Sequence, residues 1–213
     1  MIAALYVQTG GVYYDPELTD VDPWDEERDA RFYRGPHPVV AHPPCARWGR
    51  YWSGGPSARI RRLRGDDAGC FAHALWAVRT FGGVIEHPAA SSAWRWYGLS
   101  CPLSSGGWFR ADEFGGLTCH VEQGHYGHRA RKATWLYAVG CCTRGTPALR
   151  WGPSSGERLE DGFHSTAERT EARARGVRPV ERLSSEERLA TPIPFRDTLI
   201  NLARSVSKID QQS

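Results

Sequence analysis

Two short apolar runs that end at proline limit the possible folds of this chain more than any other feature. Residues 39–41 (VVA) are followed closely by two prolines, and residues 83–87 (GVIEH) are followed by Pro88. Because proline cannot donate a hydrogen bond to a sheet ladder, we expect each strand to stop there. The segment 65–82 between them carries apolar residues at helical spacing and ends at glycine. A strand, a helix and a second strand predict a parallel unit of an α/β fold.

The rest of the chain continues this alternation. We expect strands over 2–7 and 133–140, a helix with an acidic first turn over 22–33, a helix near 165–175 and an amphipathic helix over 194–206. Residues 89–118 are rich in Gly, Ser and Trp, which predicts irregular structure. Together these elements predict a layered α/β fold with a mainly parallel sheet, reduced in size, plus a small irregular insert.

Composition restricts the class of protein. The chain has 213 residues, of which 40% are hydrophobic and 24% charged, as is typical of a globular domain. No apolar run approaches the ~20 residues that a membrane helix needs, and the first residues lack the pattern of a secretory signal. The sequence therefore predicts a cytoplasmic protein with no membrane partner, and we expect a monomer.

Cys45 and Glu86 each follow a predicted apolar strand. The carboxyl ends of parallel strands meet at one edge of the sheet, where open α/β folds bind their ligands. A thiol and a carboxylate at one place suit nucleophilic and acid–base catalysis. Arg47 and Arg50 beside Cys45 are expected to favour the thiolate. The alternatives are a buried structural thiol at Cys45 and a carboxylate at Glu86 that only caps the next segment.

Histidines occur in two patterns. His42 and His87 flank the two strand ends, and each is either a partner of the site or a solvated loop residue. The segment CHVEQGHYGH (119–128) contains one cysteine and three histidines. Their spacing matches no common zinc site, because no second cysteine lies two to four residues away. The sequence therefore predicts no metal site.

Arginine is concentrated in RIRRLR (59–64), where four of six residues are arginine, although the net charge is only +3. The guanidinium group forms paired hydrogen bonds with phosphates and bases, so this run favours a nucleic-acid contact. A solvated helix face is the alternative. The predicted DNA-contacting residues are Arg47, Arg50, Arg59, Arg61, Arg62 and Arg64.

Six motifs occur in a fixed order along the chain: LYVQTGG (5–11), DVDPW (20–24), AHPPCARWG (41–49), RLRGDDAGCFAHALWAVRTFGGVIEHP (62–88), YGHRARKATWLYAVG (126–140) and LATPIPFRDTLINLA (189–203). This series resembles the DNA (cytosine-5) methyltransferases. The resemblance covers most of the chain, and the series as a whole is more specific than the PPC motif alone.

The resemblance implies a Rossmann-like methyltransferase-type fold, S-adenosylmethionine as cofactor and a cytosine flipped out of DNA as substrate. It implies that Cys45 adds to carbon 6 of the base while Glu86 engages ring nitrogen 3. Arginines, Trp48, Tyr51 and Trp52 of the following loop are expected to fill the gap that the base leaves. The implied catalytic residues are Cys45, Glu86, Arg129, Arg131 and Lys132. The implied cofactor-binding residues are Tyr6, Gln8, Gly10, Gly11, Asp22 and Thr191.

The chain departs from the family pattern in its first half. Gln8 stands where the family has glycine, and His87 stands where it has asparagine. Only ten residues separate Gly11 from Asp22 and sixteen separate Asp22 from Val39, whereas a complete crossover needs at least ~10–12 residues plus its strands. Two alternatives stay open: cytosine modification with a different electrophile, and a catalytically inactive DNA-binding relative.

We expect three regions along the chain. Residues 1–142 form the catalytic α/β core, and residues 143–188 form a short polar insert in the place of the family's target-recognition region. Residues 189–213 contain a carboxyl-terminal helix that returns to the core.

Overall fold

The computed structural model describes residues 1–49, 52–54, 59, 62–141, 149–156, 166–177 and 183–206. The strands are β1 (Ile2–Leu5), β2 (Val21–Trp24), β3 (Val39–Ala41), β4 (Gly83–Pro88), β5 (Phe109–Arg110), β6 (Leu117–Glu122) and β7 (Ala133–Val139). The helices are α1 (Cys70–Phe81), α2 (Ser92–Trp96), α3 (Thr166–Ala174), α4 (Ser185–Leu189) and α5 (Ile193–Arg204), with short 3-10 turns at Val12–Tyr14, Ala30–Phe32 and Gln123–Tyr126. Within these ranges no helix is long and apolar enough to cross a membrane.

All seven strands form one mixed sheet in the order β2-β1-β3-β4-β7-β6-β5. The first four strands of that order pair in parallel, and the remaining pairings are antiparallel. The predicted α/β class is confirmed, but the predicted mainly parallel sheet holds only for this first half. The reason is the short connection over residues 123–132 between β6 and β7, because a parallel return needs a dozen or more residues.

The sheet separates two hydrophobic layers. Ala3 and Leu5 of β1 face the layer that contains α1, and Ile2 and Ala4 face the layer that contains α5. This alternation follows from the two-residue period of a strand. Because helices cover both faces, the central strands are apolar throughout, as expected for parallel strands inside a fold.

The helix predicted over 22–33 is wrong. Residues 21–24 instead form β2, which lies at the edge of the sheet and pairs only with β1, so Pro23 costs no ladder hydrogen bond. The Asp25 carboxylate then accepts the backbone N–H groups of Glu27 and Arg28, each at 3.1 Å. Such local side-chain bonds compete with helix formation.

The sequence patterns also missed β6 and the short helices α2 and α4. Thr118 is the second residue of β6, where its hydroxyl donates to the Leu136 carbonyl and accepts from Trp94 Nε1. These bonds allow a polar residue to be buried. The strand therefore lacks the continuous apolar run by which the other central strands were found.

The described parts of the predicted insert are 149–156, 166–177 and 183–188, and the three-region division stays a prediction. α3 confirms the helix expected near 165–175, and α5 confirms the carboxyl-terminal helix. α5 packs against β1, β3 and β4, beneath the strands that carry Cys45 and Glu86.

Gly83 begins β4 at a close approach to β3. A Cβ atom there would lie 2.0 Å from the Val39 carbonyl oxygen, and Gly83 has φ +122°. Gly98 has φ +69° with nothing within 4 Å of its Cβ position. We expect Gly98→Ala to lower the free energy of unfolding by roughly 1–2 kcal/mol, the cost of left-handed strain. Gly83→Ala is expected to lower the free energy of unfolding clearly more than Gly98→Ala does, as measured in urea. Equal losses for the two variants would contradict the close approach of β3 and β4.

Candidate active site

Several chain segments meet at one edge of the sheet. β3 and β4 end there in parallel, with Ala41 opposite Ile85; Cys45 follows β3, and Glu86 lies in the carboxyl-terminal half of β4. β7 runs antiparallel to both β4 and β6. The beginning of β7 and the end of β6 therefore lie at the same edge. The antiparallel half of the sheet thus adds side chains to a site that the parallel half defines.

Glu86 is the centre of a hydrogen-bond network. His42 Nδ1 donates to Glu86 Oε2 at 3.0 Å, and Gln123 Nε2 donates to Glu86 Oε1 at 3.0 Å. The other ring nitrogen of His42, Nε2, is hydrogen-bonded to the Tyr13 hydroxyl at 2.7 Å. Gln123 Nε2 also contacts Thr134 Oγ1 at 3.0 Å. Both oxygens of Glu86 are therefore fixed in position by donors from other segments.

The charge of Glu86 follows from these partners. Burial raises its pKa, but the hydrogen bond and charge of His42, together with Lys132, outweigh burial and bring the pKa to about 2. Burial and the nearby Glu86 raise the pKa of Tyr13 far above its usual range, so Tyr13 keeps its proton and can donate. Glu86 is thus an ionised acceptor at neutral pH.

Cys45 is a thiol in the resting protein. Burial raises its pKa, the Glu86 carboxylate raises it further, and Lys132 lowers it. The expected effect of Arg47 is not found, since Lys132 is the cation that lowers the pKa of Cys45, and the Arg47 guanidinium donates to the Trp52 carbonyl at 3.3 Å. Arg50 lies outside the described residues. A nucleophilic role for Cys45 would therefore require removal of its proton.

Lys132 is coupled to both of these groups. Burial lowers the pKa of Lys132, whereas Glu86 and Cys45 raise it. Its Nζ donates to the carbonyls of Leu189 and Ala190 at 3.1 and 2.7 Å. Since an ammonium group has three N–H donors, one remains for a further acceptor.

The other two basic residues of this loop contact different segments. Arg129 forms an ion pair with Glu187 at 2.9 Å, and Arg131 Nε donates to the Gly156 carbonyl at 3.0 Å. Thr191 lines a small cleft of about 200 Å³ together with Arg129 and Glu187. Of the three basic residues predicted in this loop, Lys132 is the one whose pKa responds to the charges of Cys45 and Glu86.

The predicted cofactor loop forms a tight turn. The Gly11 N–H donates to the Gln8 carbonyl at 2.9 Å, and Gly10 has φ +65°. The Tyr6 hydroxyl is hydrogen-bonded to His73 Nδ1 at 2.9 Å. Both of the readings that the glycine pair allows, a turn and a cofactor loop, are compatible with this geometry.

The carboxylates beside that turn are already engaged. Asp22 pairs with Arg28. Asp25, at the end of β2, accepts from the hydroxyls of Tyr14 and Thr9, and these bonds lower its pKa to about 2. Nucleotide-binding α/β folds use a free carboxylate near this position for the ribose hydroxyls. Asp22 and Asp25 are both engaged by protein groups, so neither fits the ribose-binding role in S-adenosylmethionine recognition that the resemblance implies.

The loop that follows Cys45 is anchored from inside. The Trp48 N–H donates to the Cys45 carbonyl at 3.0 Å. The Trp48 side chain is 1% exposed, and its Nε1 donates to Asp67 at 2.8 Å. Ser92 donates to the Trp48 carbonyl through its N–H and its hydroxyl, each at 2.9 Å. Trp48 is thus an internal anchor. The expectation that it contacts DNA is wrong, because its side chain is buried. Tyr51 lies outside the described residues.

The described arginines of the predicted DNA surface remain accessible. Arg64 lies over the ring of Trp52, with 5.0 Å between the guanidinium carbon and the ring centroid. This placement is compatible with a solvated face and with a DNA contact. The half-buried or exposed members are Arg47, Arg59, Arg62 and Arg64, whereas Arg50 and Arg61 lie outside the described residues.

α5 holds the turn that carries Tyr13. Arg196 is 4% exposed, although it is charged. It donates to the Val12 carbonyl at 2.7 Å and to Asp15 at 2.9 Å. These bonds fix the turn on both sides of Tyr13. They therefore also hold the Tyr13 hydroxyl in position against His42.

The histidines of 119–128 have protein partners. His120 Nδ1 accepts from Trp135 Nε1 at 3.2 Å, and His125 and His128 contact backbone carbonyls. Across the described ranges, no group of three or more His, Cys, Asp or Glu side chains is arranged to hold a metal ion.

Sequence reasoning missed Tyr13 and Gln123, and it left the role of His42 open. Gln123 follows β6, the strand that the patterns missed, so nothing placed it at this edge. Tyr13 reaches His42 from a turn of three residues that carries no periodic signal. The only indication of its role in the sequence is that a tyrosine hydroxyl lies in the short connection between β1 and β2.

Comparisons with models of protein families, with curated proteins and with solved structures found no match. The chemistry must therefore be argued from the site.

The coupling of Cys45 to its neighbours can be measured as thiol reactivity. We expect Glu86→Gln to shift the pH profile of Cys45 alkylation to lower pH, because it removes a negative charge, and Lys132→Gln to shift it to higher pH. Mass spectrometry of the Cys45 peptide after iodoacetamide treatment gives the profile, with the exposed Cys101 as the internal reference. Shifts in the same direction would contradict the coupling.

His87, next to Glu86, is buried without a hydrogen-bond partner. It is 0% exposed and packs against Phe71 and Trp94. Neither ring nitrogen has a well-formed hydrogen bond, although the Pro44 carbonyl lies close enough to raise the pKa of the ring. Burial lowers the pKa of His87 from 6.5 to about 4, against the opposing charge of Glu86.

This ring makes stability depend on pH. The unfolded chain takes up a proton near pH 6.5 and the folded protein only near 4, so stability is lost as pH falls through this interval. The loss for this group approaches about 3 kcal/mol in total. We therefore compare the free energy of unfolding of His87→Leu with that of the wild type in urea. We expect the difference to favour the variant more at pH 5 than at pH 8. A difference independent of pH would refute the buried neutral ring.

Proposed function

We propose that this protein modifies carbon 5 of cytosine in DNA through a covalent bond between Cys45 and carbon 6 of the base. The observation that carries the proposal is that the strand pairing brings Cys45, Glu86 and Lys132 to one edge of the sheet, where Glu86 and Lys132 affect the pKa of Cys45 in opposite directions. These groups supply a nucleophile, a proton carrier and a stabilising cation. The ordered motifs that resemble the DNA (cytosine-5) methyltransferases support the same chemistry.

The first step is a conjugate addition. The Cys45 sulfur bonds to carbon 6, and the thiol proton moves to ring nitrogen 3 through the Glu86 carboxylate. The double bond between carbons 5 and 6 shifts to carbons 4 and 5, and the double bond between carbon 4 and nitrogen 3 opens so that its electron pair binds the proton at nitrogen 3. Carbon 5 is then an enamine carbon that can take an electrophile, after which its original hydrogen leaves as a proton and the sulfur–carbon bond breaks.

The resting charges suit this order of events. Cys45 still holds the proton that ring nitrogen 3 needs, and Glu86 is ionised and able to carry it. The remaining N–H of Lys132 is available to the base or to the developing thiolate. His42 and Gln123 hold Glu86 in one orientation, so it need not reorganise during proton transfer.

The electrophile is a separate part of the proposal. Methyl transfer from S-adenosylmethionine is the simplest form that the resemblance implies. The engagement of Asp22 and Asp25 by protein groups favours a different electrophile. Both forms share the Cys45 adduct, so the adduct can be tested without knowledge of the donor.

The adduct predicts hydrogen exchange at carbon 5 with no donor present, because the enamine carbon can take a proton from water. We expect the wild type to release deuterium from DNA that contains 5-deuterocytosine, as measured by nucleoside mass spectrometry. Cys45→Ser should reduce release to background, and Glu86→Gln should reduce it by about 10²–10⁴-fold. Cys70→Ser, a change of a thiol outside the site, should exchange like the wild type.

Adding S-adenosylmethionine to the same reaction identifies the donor. A mass gain of one methyl group that requires Cys45 would establish methyl transfer, and exchange without that gain would favour another electrophile. Exchange that persists in Cys45→Ser, or a folded wild type that binds DNA without exchange, would refute the covalent mechanism. The second result would favour the inactive DNA-binding relative.

A further inference from the structure

A cleft of about 520 Å³ follows the carboxyl end of β4. Its walls include two arginines and two tryptophans: Arg64, Arg95, Trp96 and Trp135. The volume is within the range of small-ligand sites. Indole rings stack on nucleobases and guanidinium groups bind phosphate, so this lining has the chemistry of a nucleotide site.

Both tryptophans are held in place by the protein. Trp96 is 61% exposed, yet its ring packs edge to face on buried Trp48 with 5.9 Å between centroids. The Trp135 ring packs on Trp94 at 5.5 Å, and its Nε1 donates to His120. A ring that is already fixed loses little freedom when a base stacks on it. The two indoles are therefore a preformed stacking surface.

The arginines of the cleft are not neutralised by the protein. Neither Arg64 nor Arg95 forms an ion pair with a carboxylate in the part of the chain that the structure describes. Arg79 and Arg196, by contrast, pair with Asp112 and Asp15. Uncompensated positive charge in a concave site raises the local concentration of anions.

The cleft is lined by segments next to those of the candidate active site. Ser92 in its wall binds the Trp48 carbonyl, which belongs to the loop that begins at Cys45. Trp135 lies opposite His87 in the β4–β7 ladder, one residue from Glu86. A strand whose cytosine reaches Cys45 would therefore pass this cleft.

We propose that the cleft binds a nucleotide next to the target cytosine, with its base on Trp96 and its phosphate at Arg95 and Arg64. Both faces of a base in duplex DNA are covered by its neighbours, so stacking on Trp96 requires an unpaired nucleotide. The protein should therefore prefer single-stranded DNA to duplex. This inference rests on the proposed function, because it takes DNA as the substrate.

Fluorescence anisotropy with the full chain tests the proposal. The probe is a fluorescein-labelled single-stranded oligodeoxynucleotide with one cytosine, compared with its duplex. We expect Trp96→Ala to weaken single-strand binding by roughly 5- to 150-fold with an unchanged salt dependence. Arg95→Ala should lower the slope of log K against log salt by about 0.7 for each phosphate that the protein no longer neutralises.

Trp76→Ala and Arg173→Ala are the matched controls. They remove an exposed tryptophan and an exposed arginine outside the cleft, and both should bind like the wild type. Duplex binding as tight as single-strand binding would overturn the proposal. Trp96→Ala binding no weaker than Trp76→Ala would also overturn it.

Deuterium exchange separates this inference from the proposed function. Cys45→Ser should bind the single strand like the wild type while it loses exchange, and Trp96→Ala should exchange at the wild-type rate only at saturating DNA. If the wild type does not exchange but Trp96→Ala still binds DNA more weakly, the covalent mechanism is refuted and nucleotide binding in the cleft is supported. If the wild type exchanges and Trp96→Ala binds DNA like the wild type, nucleotide binding in the cleft is refuted and the covalent mechanism is supported.

Discussion

Glu86 places a negative charge inside the protein, where a carboxylate without partners is strongly disfavoured. Its partners come from separate parts of the chain: His42 after β3, Gln123 after β6 and Lys132 before β7. Tyr13 fixes His42 from the first connection. The edge of the sheet is therefore held together by the same contacts that give Glu86 its position and its low pKa. Removing one partner alone leaves a buried charge that the others must compensate.

The charge of Glu86 also sets the state of the neighbouring thiol. A cysteine nucleophile is usually activated by nearby cations that stabilise its thiolate. Here burial opposes ionisation and the Glu86 carboxylate adds to the effect, so Lys132 only partly compensates. Such a thiol is protected against oxidation, which requires thiolate character. The proposed chemistry then depends on a proton acceptor that arrives with the substrate, namely ring nitrogen 3 of the base.

The sequence was sufficient where one rule decided the outcome. Apolar runs cut by proline located β3 and β4, and parallel geometry then put Cys45 and Glu86 at one edge. The rest depended on long-range pairing. β6 contains buried Thr118, so its pattern was broken, and without β6 neither Gln123 nor the antiparallel half of the sheet could be placed. β2 resembled an acidic helix start because nothing local shows that Pro23 lies on an edge strand. Trp48 looked like a loop tryptophan until its bond to Asp67 showed it to be internal.

Arg196 connects the last described helix to the first connection of the chain. A ribosome adds about 5–20 residues per second, and earlier segments can begin to fold as they emerge. Every strand of the sheet is translated before α5, but the turn that carries Tyr13 gains its Arg196 contacts only when α5 docks. The carbonyls that hold Lys132 are also translated after β7. Cys45 and Glu86 are therefore synthesised well before the residues that complete their surroundings, and the candidate site can reach its final geometry only after α5 has left the ribosome.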